Sequence, residues 1–165
     1  YIMQTALLVP ALVKLGVIVE AAHMFVFYFA ILSAITPPVA LAVYAANGIS
    51  RASIWDSSIA ALRLGATGYI IPFMFVFGPS LLLIGSGIEI LQTSITAIIG
   101  VVCLASGISG YLFKVTSIWE RLSLLAAALV LIKPGLETDI VGAAFILFTL
   151  VGQLRNRVKV DSTTN

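Results

Sequence analysis

The sequence predicts an all-α, multi-pass integral membrane protein with a discontinuous transmembrane helix and an interfacial amphipathic helix. Three observations carry this. First, 61% of the 165 residues are hydrophobic and only 10% charged, against about 25% charged in an ordinary soluble domain, and mean hydropathy is +1.14. Second, the intervals 21–50, 64–88 and 90–113 hold no Asp, Glu, Lys or Arg, and each is long enough to cross the hydrocarbon layer, which takes about 20 helical residues. Third, Thr36-Pro37-Pro38 interrupts the first of these intervals near its middle.

The same composition excludes intrinsic disorder, which needs low hydrophobicity and high net charge. Nine Lys and Arg with seven Asp and Glu cannot clothe a soluble globule of this length. The net charge of +2 is scattered and forms no basic stripe with interleaved aromatics, so nucleic acid is not an expected partner. The single Cys103 allows neither an intrachain disulfide nor a multi-cysteine metal site, and its apolar neighbours mark it as a small core hydrophobe.

Residues 1–13 are an apolar stretch that Lys14-Leu15-Gly16 ends. No basic leader precedes it, so the sequence reads as the C-terminal portion of a longer polypeptide. Glu20 falls in the first turn of the next helix. Between Arg51 and Arg63, Ser53 and Asp56 have capping-box spacing, and Trp55, Ile59 and Leu62 share a helical face. This segment reads either as an amphipathic helix along the interface or as a helix extended into water; the tryptophan favours the interface. A spanning helix is expected over 64–84, followed by a flexible Gly85-Ser86-Gly87 turn. The shorter runs 122–132 and 140–154 become spans if Trp119, Arg121 and Lys133 sit at the interface. Lys133-Pro134-Gly135 opens a loop to Asp139, an expected N-cap, and a frayed polar tail is expected from Arg155. Arg155, Arg157 and Lys159 place that tail in the cytoplasm, and the preceding loops then alternate consistently.

The broken helix is the informative element. Two consecutive prolines remove two backbone donors and hold the residues before them extended. The first half is therefore expected to end near Ser33–Ile35. Thr36 is the expected N-cap of a second half running from Pro37 to about Asn47. At mid-bilayer, irregular backbone persists only against protein or a wet cavity. Freed carbonyls of Ser33, Ala34 and Ile35, with the hydroxyls of Ser33 and Thr36, suit Na+, while the opposing helix N-terminus favours an anion. The candidate ion and substrate site is thus Ser33, Ala34, Ile35, Thr36, Pro37 and Pro38, with Na+ at Ser33 and Thr36. This is the geometry of ion-coupled secondary transporters. The alternative is a proline kink in a packing helix of a non-transporting membrane scaffold.

Other residues carry less. His23 could bind substrate or a proton, or bond locally at the interface. Asn47, followed by Gly48, could cap the second half-helix or act as a ligand. Phe25, Phe27, Tyr28 and Phe29 read as a lipid-facing or packing surface. Ser57, Ser58, Ser106 and Ser109 have no His or acidic partner at catalytic spacing, and no paired carboxylates or metal cluster occur, so an enzyme is not expected. Gly107 and Gly110 are three apart and do not make a G-x-x-x-G face.

Residues 22–50, AHMFVFYFAILSAITPPVALAVYAANGIS, resemble the C-terminal region of the large membrane subunit of tripartite ATP-independent periplasmic (TRAP) transporters. ALRLGATGYIIPFMFVFGPSLLL, at 61–83, resembles the helix that follows it, and the helices after residue 90 resemble the tail of the fused permease form. The resemblance implies a bacterial inner-membrane permease that imports an organic acid on a Na+ gradient, with the solute delivered by a periplasmic solute-binding protein. It implies an elevator-like subunit with two hairpins and two broken helices around a mid-membrane site. Thr36-Pro37-Pro38 would match the second break, and residues 1–15 the returning arm of the second hairpin. The resemblance departs at Ala40, where the familiar pattern has glycine after T-P-P-V. The implied organisation is a transport-domain portion over 1–84 (hairpin arm, broken helix 21–48, interfacial helix 52–63, spanning helix 64–84), accessory transmembrane helices over 85–157, and a cytoplasmic tail over 158–165. Na+ is the coupling ion, no cofactor is implied, and lipid surrounds the helices.

Overall fold

The computed structural model describes residues 1–133 and 135–161, without the side chains of Leu136 and 154–161. The named elements are all helical: α1 (Ile2–Lys14), α2 (Val19–Leu32), α3 (Leu41–Ser50), α4 (Ile54–Leu64), α5 (Ile71–Phe77), α6 (Gly87–Ser109), α7 (Ile118–Leu131) and α8 (Leu136–Asp161), with 3-10 turns at Ala66–Tyr69 and Pro79–Leu82. The chain divides into two compact units, Tyr1–Ile90 and Leu91–Asn165.

In the first unit α1 and α2 form a hairpin. Gly16 takes φ +90, which a side chain disfavours, and the Val17 amide then returns to the Leu12 carbonyl at 3.1 Å. Val9, Ala22 and Val26 are buried between the helices, with Leu12 and Val17 packed on them. Ala22 has no exposed surface, and so small a side chain lets the backbones approach. Three aromatic residues of α2 pack on α5: Phe25 meets Phe73 edge-on at 5.2 Å, Tyr28 meets Phe75 at 5.5 Å and Phe29 meets Phe73 at 6.1 Å, whereas Phe27 is 43% exposed and meets Tyr1.

α4 begins at Ser53, whose hydroxyl accepts the Asp56 amide at 3.1 Å and donates to the Asp56 carboxylate at 2.6 Å. Trp55 remains 68% exposed, so the apolar face of α4 is not consumed within its unit. The run 64–84, expected as one spanning helix, is instead divided into a 3-10 turn, the seven residues of α5 and a second 3-10 turn. Pro72 and Pro79 each open a new segment, and Gly78 before Pro79 leaves helical geometry with φ -132 and ψ 79. The backbone bends by 62° between Ile54–Leu64 and Ala66–Phe77. Among the described residues, Gly87–Ser109 is the one helix long and apolar enough to cross a membrane by itself.

In the second unit, α6 ends where Arg121 reaches its last turn. Nε donates to the Gly107 carbonyl and Nη2 to the Ile108 carbonyl, each at 3.1 Å. Arg121 thus caps a helix rather than only marking an interface. α7 opens with a full capping box, Ser117 and Glu120. It runs antiparallel to α8: Leu131 lies against Gly142, the Ser123 hydroxyl donates to the Phe145 carbonyl at 3.0 Å, and Glu120 lies beside Gly152. Lys114 Nζ donates to the Gln153 carbonyl at 2.8 Å.

Two expectations at this end are corrected. α8 starts at Leu136, so Asp139 lies inside its first turn and is not the N-cap; the Asp139 amide already bonds the Gly135 carbonyl at 2.8 Å. The helix also continues to Asp161, through the segment expected to fray, because nothing in Leu154–Val160 breaks a helix. Pro134, residues 162–165 and the side chains of Arg155, Arg157 and Lys159 lie outside the described residues.

Candidate functional site

The break in the first unit lies between Leu32, the last residue of α2, and Leu41, the first of α3. α2 stops before Ser33 because neither Pro37 nor Pro38 can donate to the carbonyls one turn back. Ser33 caps it in helical geometry, and Ala34, Ile35 and Thr36 continue as single turns whose amides bond Ile31, Leu32 and Ser33 carbonyls at 2.9, 3.1 and 3.3 Å. The second half-helix does not begin at Pro37, and Thr36 is not its N-cap. That place is taken by Ala40 in the left-handed region, φ 36 and ψ 39. The Ala40 amide donates to the Ser33 and Thr36 carbonyls at 3.2 and 3.0 Å, and these bonds hold the turn that the prolines prevent from being helix.

The expected free carbonyls are also revised. Ser33 accepts from Thr36 and Ala40, and Ala34 accepts from the Ala42 amide at 2.9 Å. Ile35 is the remaining one: its carbonyl accepts no hydrogen bond among the described residues. The α3 N-terminus is not an open anion cradle, since Ala42 donates to Ala34 while Val43 and Tyr44 donate to Ala40 at 2.9 and 3.1 Å. Of its first-turn amides Leu41 alone is left. Ser33 through Pro37 are half-buried, whereas Pro38 is exposed.

The hydroxyls have a definite polarity. Ser33 Oγ donates to the Ala30 carbonyl and Thr36 Oγ1 to the Leu32 carbonyl, each at 2.6 Å. Carbonyls only accept, so each hydroxyl has spent its one proton on α2. Tyr69 Oη is also hydrogen-bonded to Thr36 Oγ1. With the threonine proton committed, Tyr69 must be the donor. All three oxygens therefore present lone pairs and no proton. Among the described residues no cluster of His, Cys, Asp and Glu stands ready to hold a metal. The break offers neutral oxygens only, a set that suits a hard monovalent cation and repels an anion.

The sequence reading did not find Tyr69. It lies on the Ala66–Tyr69 turn, 33 residues from Thr36, inside the run taken for a spanning helix. The signal was Gly65-Ala-Thr-Gly68-Tyr69. A Cβ on Gly65 would overlap Ile35 Cδ1, and one on Gly68 would stand 3.2 Å from Leu32 Cδ2. The two glycines let the turn dock on the break.

The other candidates lie elsewhere. His23 Nδ1 bonds the Tyr1 hydroxyl at 2.9 Å, ten residues before Ser33 and so about 15 Å along the axis. Asn47 and Gly48 do not end α3, which continues to Ser50 with Arg51 as its cap; Asn47 Oδ1 instead accepts from Ser57 at 2.9 Å. In the second unit a cavity of about 660 Å³ between α7 and α8 is lined by Trp119, Leu122, Ser123, Val141, Phe145 and Phe148, among others. It is apolar apart from the indole and a hydroxyl already bonded to Phe145, so it gives an organic acid little to bind.

Residues 1–90 match the family described as tripartite ATP-independent periplasmic transporter, DctM component. Residues 89–157 match a domain of unknown function, DUF3394. No curated protein and no solved structure matches the chain. The first match spans the hairpin, the break and the turn that bears Tyr69, and its family is one of transporters, whose permeases work with a periplasmic binding protein. The chain belongs to the DctM family and is a permease component of a TRAP transporter.

Proposed function

We propose that this chain contributes the second broken helix of a Na+-coupled permease that imports an organic acid. A periplasmic solute-binding protein delivers the acid, and the permease sits in the bacterial inner membrane as a multi-pass protein with a cytoplasmic C-terminus. The observation that supports the coupling ion is the polarity of the break. Ser33 Oγ, Thr36 Oγ1 and the Ile35 carbonyl offer lone pairs on neutral oxygens, with their own protons turned into α2 or absent. Na+ enters as cargo, and the family's transport chemistry supplies the reason to bind and release it. Residues 85–157 act as an accessory module and carry no transport ligand.

A second reading has a specific observation behind it. The Ala42-to-Ala34 bond closes the break in backbone alone, as a kink in a scaffold would. The two readings separate in proteoliposomes holding the complete permease, supplied with its binding protein and a labelled organic acid. An inward Na+ gradient should drive accumulation that an equal K+ gradient does not. Accumulation indifferent to the cation, or none at all from a correctly inserted permease, would leave the scaffold reading.

A further inference from the structure

We propose that Tyr69 is a cation-site residue, supplying a hydroxyl oxygen from the Ala66–Tyr69 turn to the break. The inference rests on the reading of the break as an ion site, and goes beyond it by adding a ligand from a different element.

The argument is one of proton accounting. Thr36 gives its proton to the Leu32 carbonyl, so Tyr69 gives its own to Thr36. Tyr69 Oη is then left with lone pairs only, adjoining a threonine oxygen in the same condition. Two neutral oxygens in hydrogen-bond contact, both turned acceptor-only, form one edge of a cation site, and an anion approaching that edge meets no donor. The ring is held independently of the hydroxyl: it lies 6.4 Å from Phe29 at 60°, and Phe29 in turn meets Phe73 at 6.1 Å. Gly65 and Gly68 permit the close approach that delivers it. The turn also stands where the chain bends by 62°. A cation bound against the Thr36–Tyr69 edge therefore ties the broken helix to that bend.

The test is Tyr69→Phe, which deletes the oxygen and keeps the ring. The complete permease is titrated with Na+ in two ways: uptake with its binding protein, and thermal stability of the purified permease in detergent without solute. Binding to the folded state raises stability with ligand concentration, so the second titration reads the ion site alone. Losing one neutral oxygen ligand should raise half-saturating Na+ about five-fold in both. Wild-type Na+ dependence in the Phe variant would overturn the proposal, as would a tighter one, which would mean that the hydroxyl competes with the ion. A uniform loss of stability at every Na+ concentration, with an unmoved midpoint, would make Tyr69 a packing residue and overturn it too. If the wild-type permease itself shows no Na+ response, the reading of the break fails first, and that outcome is visible before any variant is made.

Discussion

The Ala42 amide donates to the Ala34 carbonyl at 2.9 Å, across the gap that Pro37 and Pro38 open in the helix. This bond ties the start of α3 back to the end of α2 and withdraws Ala34 from the set of free acceptors. The acceptors left at the break are the Ile35 carbonyl and the Ser33 and Thr36 hydroxyl oxygens, not the full run of carbonyls that two prolines alone would imply.

The turn that allows this bond requires Ala40 at φ 36 while the residue is 2% exposed. Left-handed geometry costs a non-glycine residue about 1–2 kcal/mol. Ala40→Gly relieves that cost, but it loses a buried methyl worth about 0.8 kcal/mol and adds about 0.5–1 kcal/mol of backbone entropy. The terms nearly cancel, so Ala40→Gly should melt close to wild type in detergent. Ala40→Val should lose at least about 2 kcal/mol, because a β-branched residue fits neither the φ nor the space.

Gly142 on α8 faces Leu131 on α7 so closely that a Cβ would stand 2.7 Å from Leu131 Cγ and Cδ2. Leu131 is 4% exposed and has little room to yield. Gly142→Ala is expected to cost about 1–3 kcal/mol. In a Leu131→Ala background Gly142→Ala should cost much less than it does alone, so a double-mutant cycle on melting midpoints should show a coupling between them.

Arg121 holds two carbonyls at the end of α6 through one guanidinium. Arg121→Ala should lower stability by about 1–2 kcal/mol. Arg121→Lys should recover little of it, because an ammonium lacks the planar fork that reaches both carbonyls. Thermal melts of the full chain report both values.

The end of α2 was legible because proline acts locally: it removes its own donor wherever it stands. The start of α3 was not, because a left-handed alanine at position 40 is imposed by the bonds that the Ala40 and Ala42 amides donate to the Ser33, Thr36 and Ala34 carbonyls, and leaves no mark in residue type. Apolar length misled at 64–84, where Gly65, Pro72, Gly78 and Pro79 outweigh hydropathy. Ser33 and Thr36 were found as hydroxyls beside a break. Tyr69 was missed because only folding brings it across 33 residues to Thr36. The Ser117-Glu120 box was readable by its spacing, but it lay in a segment read for charge alone.

The measurement that bears most directly on the ion site compares Thr36→Ser and Thr36→Ala with wild type. Thr36 does not cap α3, so the alanine change removes no N-cap; it removes the oxygen that bonds Leu32 and Tyr69. Organic-acid uptake is measured over a series of Na+ concentrations, with the complete permease reconstituted beside its binding protein at equal protein in the membrane. The serine variant should keep the wild-type Na+ dependence, since it loses a methyl and keeps the oxygen. The alanine variant should need about five-fold more Na+ or above for half-maximal uptake, with weak binding left to the neighbouring carbonyl. Equal Na+ dependence in wild type and the alanine variant would contradict the account and leave Thr36-Pro37-Pro38 as a kink.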